Sequence, residues 1–358
     1  MSGFGVYVHI PFCAHRCDYC AFATWADRGS LMGQYALACR REILAASLPA
    51  ASSVFFGGGT PSLLPASLLV SVLAAVPRSA GAEVTVECNP ETVTPSLLAA
   101  YRHGGVNRLS FGVQSLAPHV LAALGRRHAP ESVARAVLGA RAEGFESINL
   151  DLIFGAAGES VADFAATLDA ALALAPDHLS VYALTVEAGT PLARDPGRWP
   201  DDDDQADKYL MATERLAAAG FEWYEISNWS QRGHQCRHNQ LYWAQGDYRG
   251  IGCAAHSHQG GRRWWNVRTP ERYLDLIGSG RSPEGGSEVL TDSERDLEGL
   301  QLALRTSQGV PWAALSDAPE LEGLVNRVGD RAVLTVPGRL LANEVAYRLR
   351  VPVHPVPG

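Results

Sequence analysis

Residues 4–22 read Phe-Gly-Val-Tyr-Val-His-Ile-Pro-Phe-Cys-Ala-His-Arg-Cys-Asp-Tyr-Cys-Ala-Phe, and this stretch decides the fold. Apolar side chains alternate with others at its start, which predicts a short β-strand. A loop with the spacing C-x3-C-x2-C follows directly and contains Cys13, Cys17 and Cys20. Three thiolates on one tight loop can bind three irons of a [4Fe-4S] cluster, which leaves the fourth iron open to an exogenous chelator.

Two other interpretations of the cysteine loop remain open at this point. The thiolates could bind zinc, with His9 or His15 as the fourth ligand, because zinc takes Cys and His in tetrahedral sites. The three cysteines could also be unrelated thiols. Tyr19 beside Cys20 and the pattern of the remaining chain favour the cluster.

The composition is that of an ordinary globular protein of 358 residues, with 47% hydrophobic and 19% charged side chains. A net charge of −8 and the lack of a polybasic run argue against binding to nucleic acid or anionic lipid. Seven cysteines, three of them clustered, indicate a reducing compartment and ligation. The most apolar stretch, 63–76, is too short to cross a bilayer, and no signal peptide is visible. We therefore expect a cytoplasmic protein.

Six β/α repeats are predicted between residue 4 and about residue 184. Short β-like runs alternate with helical stretches rich in Ala and Leu, which is typical of a parallel sheet with helical crossovers. Six repeats are too few for a closed eight-stranded barrel. We therefore expect an α/β fold, an open partial (β/α)6 TIM-like barrel. The predicted strands are 5–10, 53–56, 83–87, 108–111, 147–154 and 178–184, and the predicted helices lie near 31–47, 65–76, 95–103, 131–143 and 161–174.

Polar or glycine-rich turns follow four of the predicted strands. They are Gly-Gly-Gly-Thr-Pro-Ser at 57–62, Glu-Cys-Asn-Pro at 87–90, Gly-Val-Gln-Ser at 112–115 and Asp-Leu-Ile-Phe-Gly at 151–155. Barrel enzymes place their sites at the carboxyl ends of the strands. Because the turns recur in phase with the repeats, they predict a functional site at that face.

The chain is expected to contain three units. These are the partial barrel over 1–220, an aromatic and glycine-rich extension over 221–285, and a small C-terminal domain over 286–358. The polar Gly/Ser stretch 278–287 is expected to be a linker, and a helix is predicted over 293–305.

The Cys-x3-Cys-x-Tyr-Cys pattern after a His-Ile-Pro-Phe strand resembles the radical S-adenosylmethionine (SAM) superfamily, in its coproporphyrinogen-dehydrogenase-like branch. The resemblance implies an open partial barrel with a small winged-helix-like C-terminal domain. It also implies two cofactors, a [4Fe-4S] cluster and SAM, whose amino and carboxylate groups chelate the open iron. In such proteins the radical chemistry belongs to the cofactor, and the protein supplies orientation and a dry site.

The resemblance also implies a set of SAM-contacting residues. The glycine turn at 57–61 would let backbone approach the amino and carboxylate groups of SAM. Glu87 would accept hydrogen bonds from the ammonium or ribose, Asp151 would accept them from ribose hydroxyls, and Tyr19 would lie beside adenine. The full set is Tyr7, Tyr19, Gly59, Thr60, Glu87, Gln114, Arg126 and Asp151.

Structural roles remain open for several of these residues. Tyr7 could be a core residue, and Gln114 and Arg126 could make hydrogen bonds within the barrel. Cys39 and Cys88 are expected to be inert buried thiols. The loop after Asp151-Leu-Ile-Phe-Gly departs from its relatives, since it continues as Ala-Ala-Gly where they carry Leu-Pro-Gly.

Two departures separate this chain from enzymes that decarboxylate coproporphyrinogen. Those enzymes have a fourth cysteine two positions beyond the third, and a long segment before the cluster. Here Phe22 occupies that position, and twelve residues precede Cys13. The pattern instead resembles the haem-chaperone branch, whose members bind haem and transfer it to acceptor proteins. An oxygen-independent coproporphyrinogen III dehydrogenase, another radical SAM oxidoreductase and a cluster-stabilised scaffold are the alternatives, so enzymatic activity stays open.

A second group of residues supports that branch. Residues 236–243, Cys-Arg-His-Asn-Gln-Leu-Tyr-Trp, match the H-N-x-x-Y-W signature that the branch associates with haem. A neutral imidazole is a common axial ligand, so His238 is the predicted haem ligand. Cys236 is the rival, and His256 is a weaker candidate.

The resemblance implies several partners besides haem. They are haem-acceptor proteins, with membrane-bound respiratory proteins among the candidates, and an electron donor. Nucleic acid is not expected. The oligomeric state is open, and a homodimer is one alternative.

Overall fold

The computed structural model describes residues 3–315 and 321–351, and its central element is one twelve-stranded sheet. Six parallel strands occupy the middle of the sheet in chain order. They are β1 (Phe4–Ile10), β2 (Ala51–Gly58), β3 (Arg78–Cys88), β4 (Arg108–Gln114), β5 (Ser147–Phe154) and β6 (His178–Ala183). Because β1 and β6 do not pair with each other, the barrel is open, as expected.

Helices connect these strands at the predicted places. They are α1 (Met32–Ala45), α2 (Ala66–Ala75), α3 (Pro95–Gly104), α4 (Pro118–Ala123), α5 (Pro130–Ala142) and α6 (Val161–Ala173). Five of them agree with the prediction to within two residues at each end. The sixth, α4, was not predicted, since a six-residue helix is too short to show a helical period.

Side chains alternate across each parallel strand, and this alternation separates the core from the site. Val6 and Val8 of β1 and Val54 of β2 are fully buried in the main hydrophobic core, together with residues of α1 and α2. Tyr7, between the two valines of β1, and Phe55, next to Val54 in β2, line a cavity on the other face of the sheet. This is the consequence of a side-chain period of two along a strand.

Residues 222–289 add strands to both edges of the same sheet. After α7 (Asp202–Ala218), β7 (Glu222–Glu225) and β8 (Asn228–Ser230) pair with each other, and β8 pairs antiparallel with β6. After α8 (Arg237–Trp243), β9 (Asp247–Ile251) pairs parallel with β1 at the opposite edge. The antiparallel strands β10 (His256–Gln259), β11 (Arg262–Asn266) and, after α9 (Pro270–Gly278), β12 (Glu284–Val289) complete the sheet.

The expectation of a linker at 278–287 was wrong. Most of β12 falls in this stretch and pairs with β11. Gly286 lies directly against the Trp265 ring, where a Cβ would be 2.6 Å from the nearest ring atom. The glycine therefore makes room for a cross-strand aromatic side chain and does not indicate a flexible connection.

The chain from residue 292 onward forms a small unit with its own hydrophobic core. It contains α10 (Asp292–Leu304), α11 (Val336–Leu340), α12 (Ala342–Ala346) and a three-stranded antiparallel sheet of β13 (Val310–Pro311), β14 (Val325–Val328) and β15 (Arg331–Leu334). Helix α10 agrees with the helix predicted over 293–305. Parts of the predicted terminal units, residues 1–2, 316–320 and 352–358, lie outside the described residues. No helix in the described part of the chain is long and apolar enough to cross a bilayer.

Candidate cofactor loop and cavity

Cys13, Cys17 and Cys20 lie on the loop after β1, which closes over the carboxyl ends of the neighbouring strands. The amide of Cys13 donates to the carbonyl of Trp25 at 3.1 Å, so the loop is tied to its own continuation. Burial raises the pKa of the Cys13 and Cys20 thiols, so these thiols need a metal or a donor to become thiolates.

Two donors lie close to the sulfurs of this loop. Thr60 Oγ1 donates to Cys13 Sγ, and Arg126 Nη1 donates to Cys17 Sγ, each at 3.8 Å. Donors to sulfur and a nearby guanidinium stabilise anionic thiolates. Three thiols on one loop, two of them with such donors, fit the ligand set of a [4Fe-4S] cluster with one open iron.

The structure gives no support to His9 as a zinc ligand. His9 Nε2 donates to the carbonyl of Ala23 at 2.9 Å, and Nδ1 accepts from the Tyr7 hydroxyl at 3.1 Å. Burial lowers the pKa of His9 to about 4, so the ring is neutral and both nitrogens are used. Across 3–315 and 321–351, no three His, Cys, Asp or Glu side chains are arranged to hold a single metal ion. A cluster differs, because each of its irons takes a separate thiolate.

The glycine turn after β2 is required by packing against β1 and the cysteine loop. Gly58 has φ +107°, and a Cβ there would lie 2.4 Å from the His9 ring. A Cβ on Gly59 would lie 2.7 Å from the carbonyl oxygen of Phe12. The predicted close approach of a ligand stays a prediction, and the structure adds a packing reason for both glycines, because a Cβ would meet the His9 ring or the backbone of Phe12.

Thr60 and Arg126 belong to one hydrogen-bonded group beside the cysteine loop. Arg126 Nη2 donates to Asn89 Oδ1 at 3.0 Å and to the carbonyl of Gly112 at 2.6 Å. Asn89 Nδ2 donates to Thr60 Oγ1 at 3.2 Å. Asn89 was not predicted as a site residue, although its turn was recognised as polar. Asn89, in the turn after β3, therefore connects Thr60 in the turn after β2 with Arg126 in the loop after α4.

Gln114 and Tyr19 lie apart from the main cavity. Gln114 is a buried residue with φ +64°, at a register shift between β4 and β5. A non-glycine residue in this region is uncommon and often marks a functional position. Tyr19 packs against the apolar cluster that includes Leu124 and Leu192, so its ring is held by α4 and the loop after β6.

The open face of the sheet contains a cavity of about 520 Å³, counted together with its mouth. Four of the predicted site residues line it, namely Tyr7, Glu87, Asp151 and His238. Five others, Tyr19, Gly59, Thr60, Gln114 and Arg126, do not. The predicted residues therefore form two groups, one in the cavity and one around the cysteine loop.

Glu87 and Asp151 give the cavity an acidic pair with unequal hydrogen bonding. Asp151 accepts from Ser110 Oγ at 2.9 Å and from Asn149 Nδ2 at 2.8 Å. Glu87 accepts from the Gly58 amide at 3.1 Å. Burial, followed by repulsion from Asp151, raises the pKa of Glu87 to about 8. Near neutral pH Glu87 is therefore mostly protonated, and a cationic ligand would favour its ionised form.

His238 is held on both sides within the protein. Its side chain is 1% exposed, Nδ1 bonds to Ser53 Oγ and Nε2 bonds to the Tyr242 hydroxyl, each at 2.9 Å. The ring also stacks on Phe55, with centroids 5.4 Å apart. Burial lowers the pKa of His238 to about 3. The imidazole is thus neutral, as an axial ligand must be, but it must release one hydrogen bond before it can bind iron.

The rival haem ligands are less suitable in this conformation. Cys236 is buried against Glu83, with Sγ 3.6 Å from Oε1, and burial raises the pKa of its thiol to about 12. It is therefore a protonated thiol and not a thiolate ligand. His256 is exposed on β10, where its ring lies beside Trp265. Sequence reasoning missed Glu83, which accepts from the amides of Arg237 and His238 and fixes the start of α8.

Most of the chain is similar in sequence to known proteins. The family model described as the radical SAM superfamily matches residues 7–171. "Heme chaperone HemW" of Mycobacterium tuberculosis is 44% identical, over 97% of this chain and 94% of the relative. Proteins of the same name from Synechocystis and Escherichia coli are each 38% identical, over 88% and 82% of this chain and 81% and 78% of the relative, respectively.

A solved structure shows the same fold at low identity. Coproporphyrinogen III oxidase (HemN) from Escherichia coli, described as a radical SAM enzyme, has a TM-score of 0.85 at 23% identity. The match covers 97% of this chain and 89% of that chain. The open barrel, the cysteine loop and the extended similarity to the curated relatives agree with one another, and the chain belongs to the HemW family of the radical SAM superfamily.

Proposed function

We propose that this protein is a haem chaperone, which binds haem together with a SAM-coordinating [4Fe-4S] cluster and transfers haem to acceptor proteins. One observation carries the proposal. Helix α8, which contains the H-N-x-x-Y-W residues, lines the same cavity as Tyr7, Glu87 and Asp151. The segment that resembles the haem signature and three residues of the predicted SAM-binding set therefore line one cavity. The names of the relatives that span most of the chain support the same function.

In this proposal Cys13, Cys17 and Cys20 each bind one iron of the cluster. Thr60 and Arg126 stabilise two of the thiolates through the donors described above. When bound, the cluster and SAM supply one-electron chemistry. The protein contributes a fixed loop and a partly closed environment for these groups.

In this proposal the SAM-binding residues form two groups, one around the cysteine loop and one in the cavity. Around the cysteine loop, Gly59, Thr60, Gln114 and Arg126 form one group, with Tyr19 packed beside it. In the cavity, Tyr7, Glu87 and Asp151 form the other. Glu87 receives a cationic group, because its carboxyl proton is lost most easily beside a positive charge. Asp151 receives hydroxyl groups, because its acceptor oxygens are already oriented by Ser110 and Asn149.

His238 is the proposed axial ligand, and Nε2 is the atom that would bind iron. Tyr242, its partner on that side, lines the cavity, whereas Ser53 does not. Movement of the Tyr242 hydroxyl would expose Nε2 toward the cavity. Ser53 would then hold Nδ1 and orient the ring.

The alternative function is an oxygen-independent coproporphyrinogen III dehydrogenase. Similarity to HemN at 23% identity supports the fold alone. Phe22, where those enzymes carry a further cysteine, is 65% exposed beside the cluster loop and offers no thiol. For another radical SAM oxidoreductase, no described residue of the cavity indicates a particular substrate.

An anaerobic experiment distinguishes the two functions. Purified protein with a reconstituted cluster is titrated with haem, then mixed with a haem-free acceptor protein such as an apo-cytochrome. A haem chaperone gives a saturable Soret change and passes the haem on. The same preparation is incubated with coproporphyrinogen III, SAM and a reductant. Decarboxylated product would overturn the chaperone proposal in favour of the dehydrogenase.

We further propose a cytoplasmic location and an electron donor as a partner. The seven cysteines are all free thiols, which suits a reducing compartment. Acceptors include membrane-bound respiratory proteins, and a homodimer is the proposed oligomer. Fractionation of cells and sedimentation of the purified protein test these points.

A further inference from the structure

Arg108, the first residue of β4, is a buried cation whose guanidinium has no bonded partner among the described residues. It is 3% exposed and lines the cavity. Its Nε has no hydrogen-bond partner, and its guanidinium takes no part in the hydrogen bonds or ion pairs of the described residues. A guanidinium carries five N–H donors, and to bury it without acceptors is costly.

The acidic groups near Arg108 accept hydrogen bonds from other groups, and neither bonds to its guanidinium. Glu83 and Asp151 attract the guanidinium through space only. Glu83 accepts from the amides at the start of α8, at 3.1 and 3.2 Å. Asp151 accepts from Ser110 and Asn149. The in-plane N–H groups of the Arg108 guanidinium are therefore available to an acceptor that enters the cavity.

The position of Arg108 in β4 limits which ligand can supply the acceptor for its guanidinium. Gln114 ends β4 on the side of the cysteine loop, and six residues of strand cover about 20 Å. The carboxylate of SAM in this superfamily belongs at the open iron of the cluster, beside that loop. A carboxylate at Arg108 must therefore belong to a second ligand.

We infer that Arg108 is the receptor for a carboxylate of the tetrapyrrole, that is, for a propionate arm of the haem. This inference rests on the proposed function and extends it to a specific contact. Arginine pairs with a carboxylate through two parallel hydrogen bonds, which fixes the direction of the ligand as well as its affinity. The neighbouring cavity residue His178 cannot replace it, because its ring nitrogens are bonded to Asn149 and the Tyr224 hydroxyl.

The test compares haem with its dimethyl ester, in which both propionates are uncharged. Full-length protein with a reconstituted cluster is titrated anaerobically with each compound, and binding is followed by Soret absorbance. The proteins are wild type, Arg108→Met and Arg327→Met. Arg327 is an exposed arginine in the C-terminal unit, so the last variant is a matched control for the substitution.

We expect wild type and Arg327→Met to bind haem roughly tenfold or more tightly than the ester, as for a charge-assisted hydrogen bond. In Arg108→Met this ratio should fall to about one-tenth of the wild-type ratio. An unchanged ratio in Arg108→Met, or a wild type that does not discriminate, overturns the inference while the proposed function stands. If wild type binds neither compound, both fall. Should Arg108→Met fail to fold, the ratio of the affinities for haem and its dimethyl ester in Arg108→Lys and in wild type tests the inference.

Discussion

The backbone N–H of Gly58 donates a hydrogen bond of 3.1 Å to Glu87 Oε2. This bond joins the glycine turn after β2, which packs on the cysteine loop, to the carboxyl group inside the cavity. The bond lowers the pKa of Glu87, but burial has the larger effect, and the pKa is raised to about 8. The two groups of candidate SAM-binding residues are thus connected through the main chain of one turn.

The raised pKa of Glu87 predicts a pH-dependent affinity for SAM. Below about pH 8 the carboxyl group is protonated, and a cationic ligand must displace that proton. The association constant should therefore rise with pH, by up to about tenfold per unit below pH 8, and level off above it. Glu87→Gln should remove this slope. Calorimetric titrations of cluster-loaded protein across the range measure both, and a wild-type affinity that is independent of pH contradicts the assignment.

Cys17→Ala should abolish the [4Fe-4S] absorbance and EPR signal of the reduced, reconstituted protein. Each thiolate of the loop binds one iron, so the loss of one opens the cluster. Cys39→Ala is the control, because Cys39 is a fully buried thiol within α1. Its iron content should equal that of wild type. A full cluster in Cys17→Ala would reject the proposed ligands.

Gly59→Ala should destabilise the protein by about 1–3 kcal/mol and lower its iron content. The added Cβ would collide with the carbonyl oxygens of Ile10 and Phe12, which carry the chain into the cysteine loop. Gly33→Ala in the first turn of α1 is the matched control, since no atom lies within 4 Å of a Cβ there. Thermal unfolding and iron per chain are the measurements. Equal values for the two variants would show that the turn is not packed as described.

His238→Ala should shift the Soret band of the haem complex and weaken haem binding, while the iron–sulfur content stays normal. The imidazole is the proposed axial ligand, and α8 lies apart from the cysteine loop. Cys236→Ser is the comparison variant, because its buried thiol is protonated. An unaltered haem spectrum and affinity in His238→Ala would leave His238 with a structural role between Ser53 and Tyr242.

His238 should also make the haem-free protein sensitive to acid. Burial lowers its pKa to about 3, below the ordinary value of 6.5, so the unfolded chain binds the proton more readily. Its contribution to stability is complete above about pH 6.5 and is lost as the pH falls toward 3. Denaturant unfolding of wild type and His238→Gln at a series of pH values tests this. The variant should show the shallower loss of stability between about pH 6.5 and 4.

The parallel half of the sheet could be predicted because its signals are local. Each of the six strands is a short apolar run followed by a turn and a helix, so spacing alone indicated its position. The ends were less certain, as β3 shows. Its first residues, 78–81, are exposed and include Gly81, and they carry no hydrophobic pattern.

The two ends of the sheet could not be predicted in this way. Strand β9 pairs with β1, and β8 pairs with β6, across long separations in the chain, and no local pattern encodes such a partner. The site shows the same division. The cysteine loop is contained in one short stretch and was recognised from it. Arg108, Asn89 and Glu83 became visible only when strands far apart in the sequence were placed side by side.

The pairing of β1 with β9 has a consequence for how the chain is made. Phe4 pairs with Asp247, so one edge of β1 must wait for a partner that is synthesised much later. Its other edge can pair as soon as β2 emerges. Until then the nascent chain carries an apolar strand edge and a thiol-rich loop into a crowded compartment. Delayed closure of this edge therefore leaves β1 and the cysteine loop only partly covered until β9 has been synthesised.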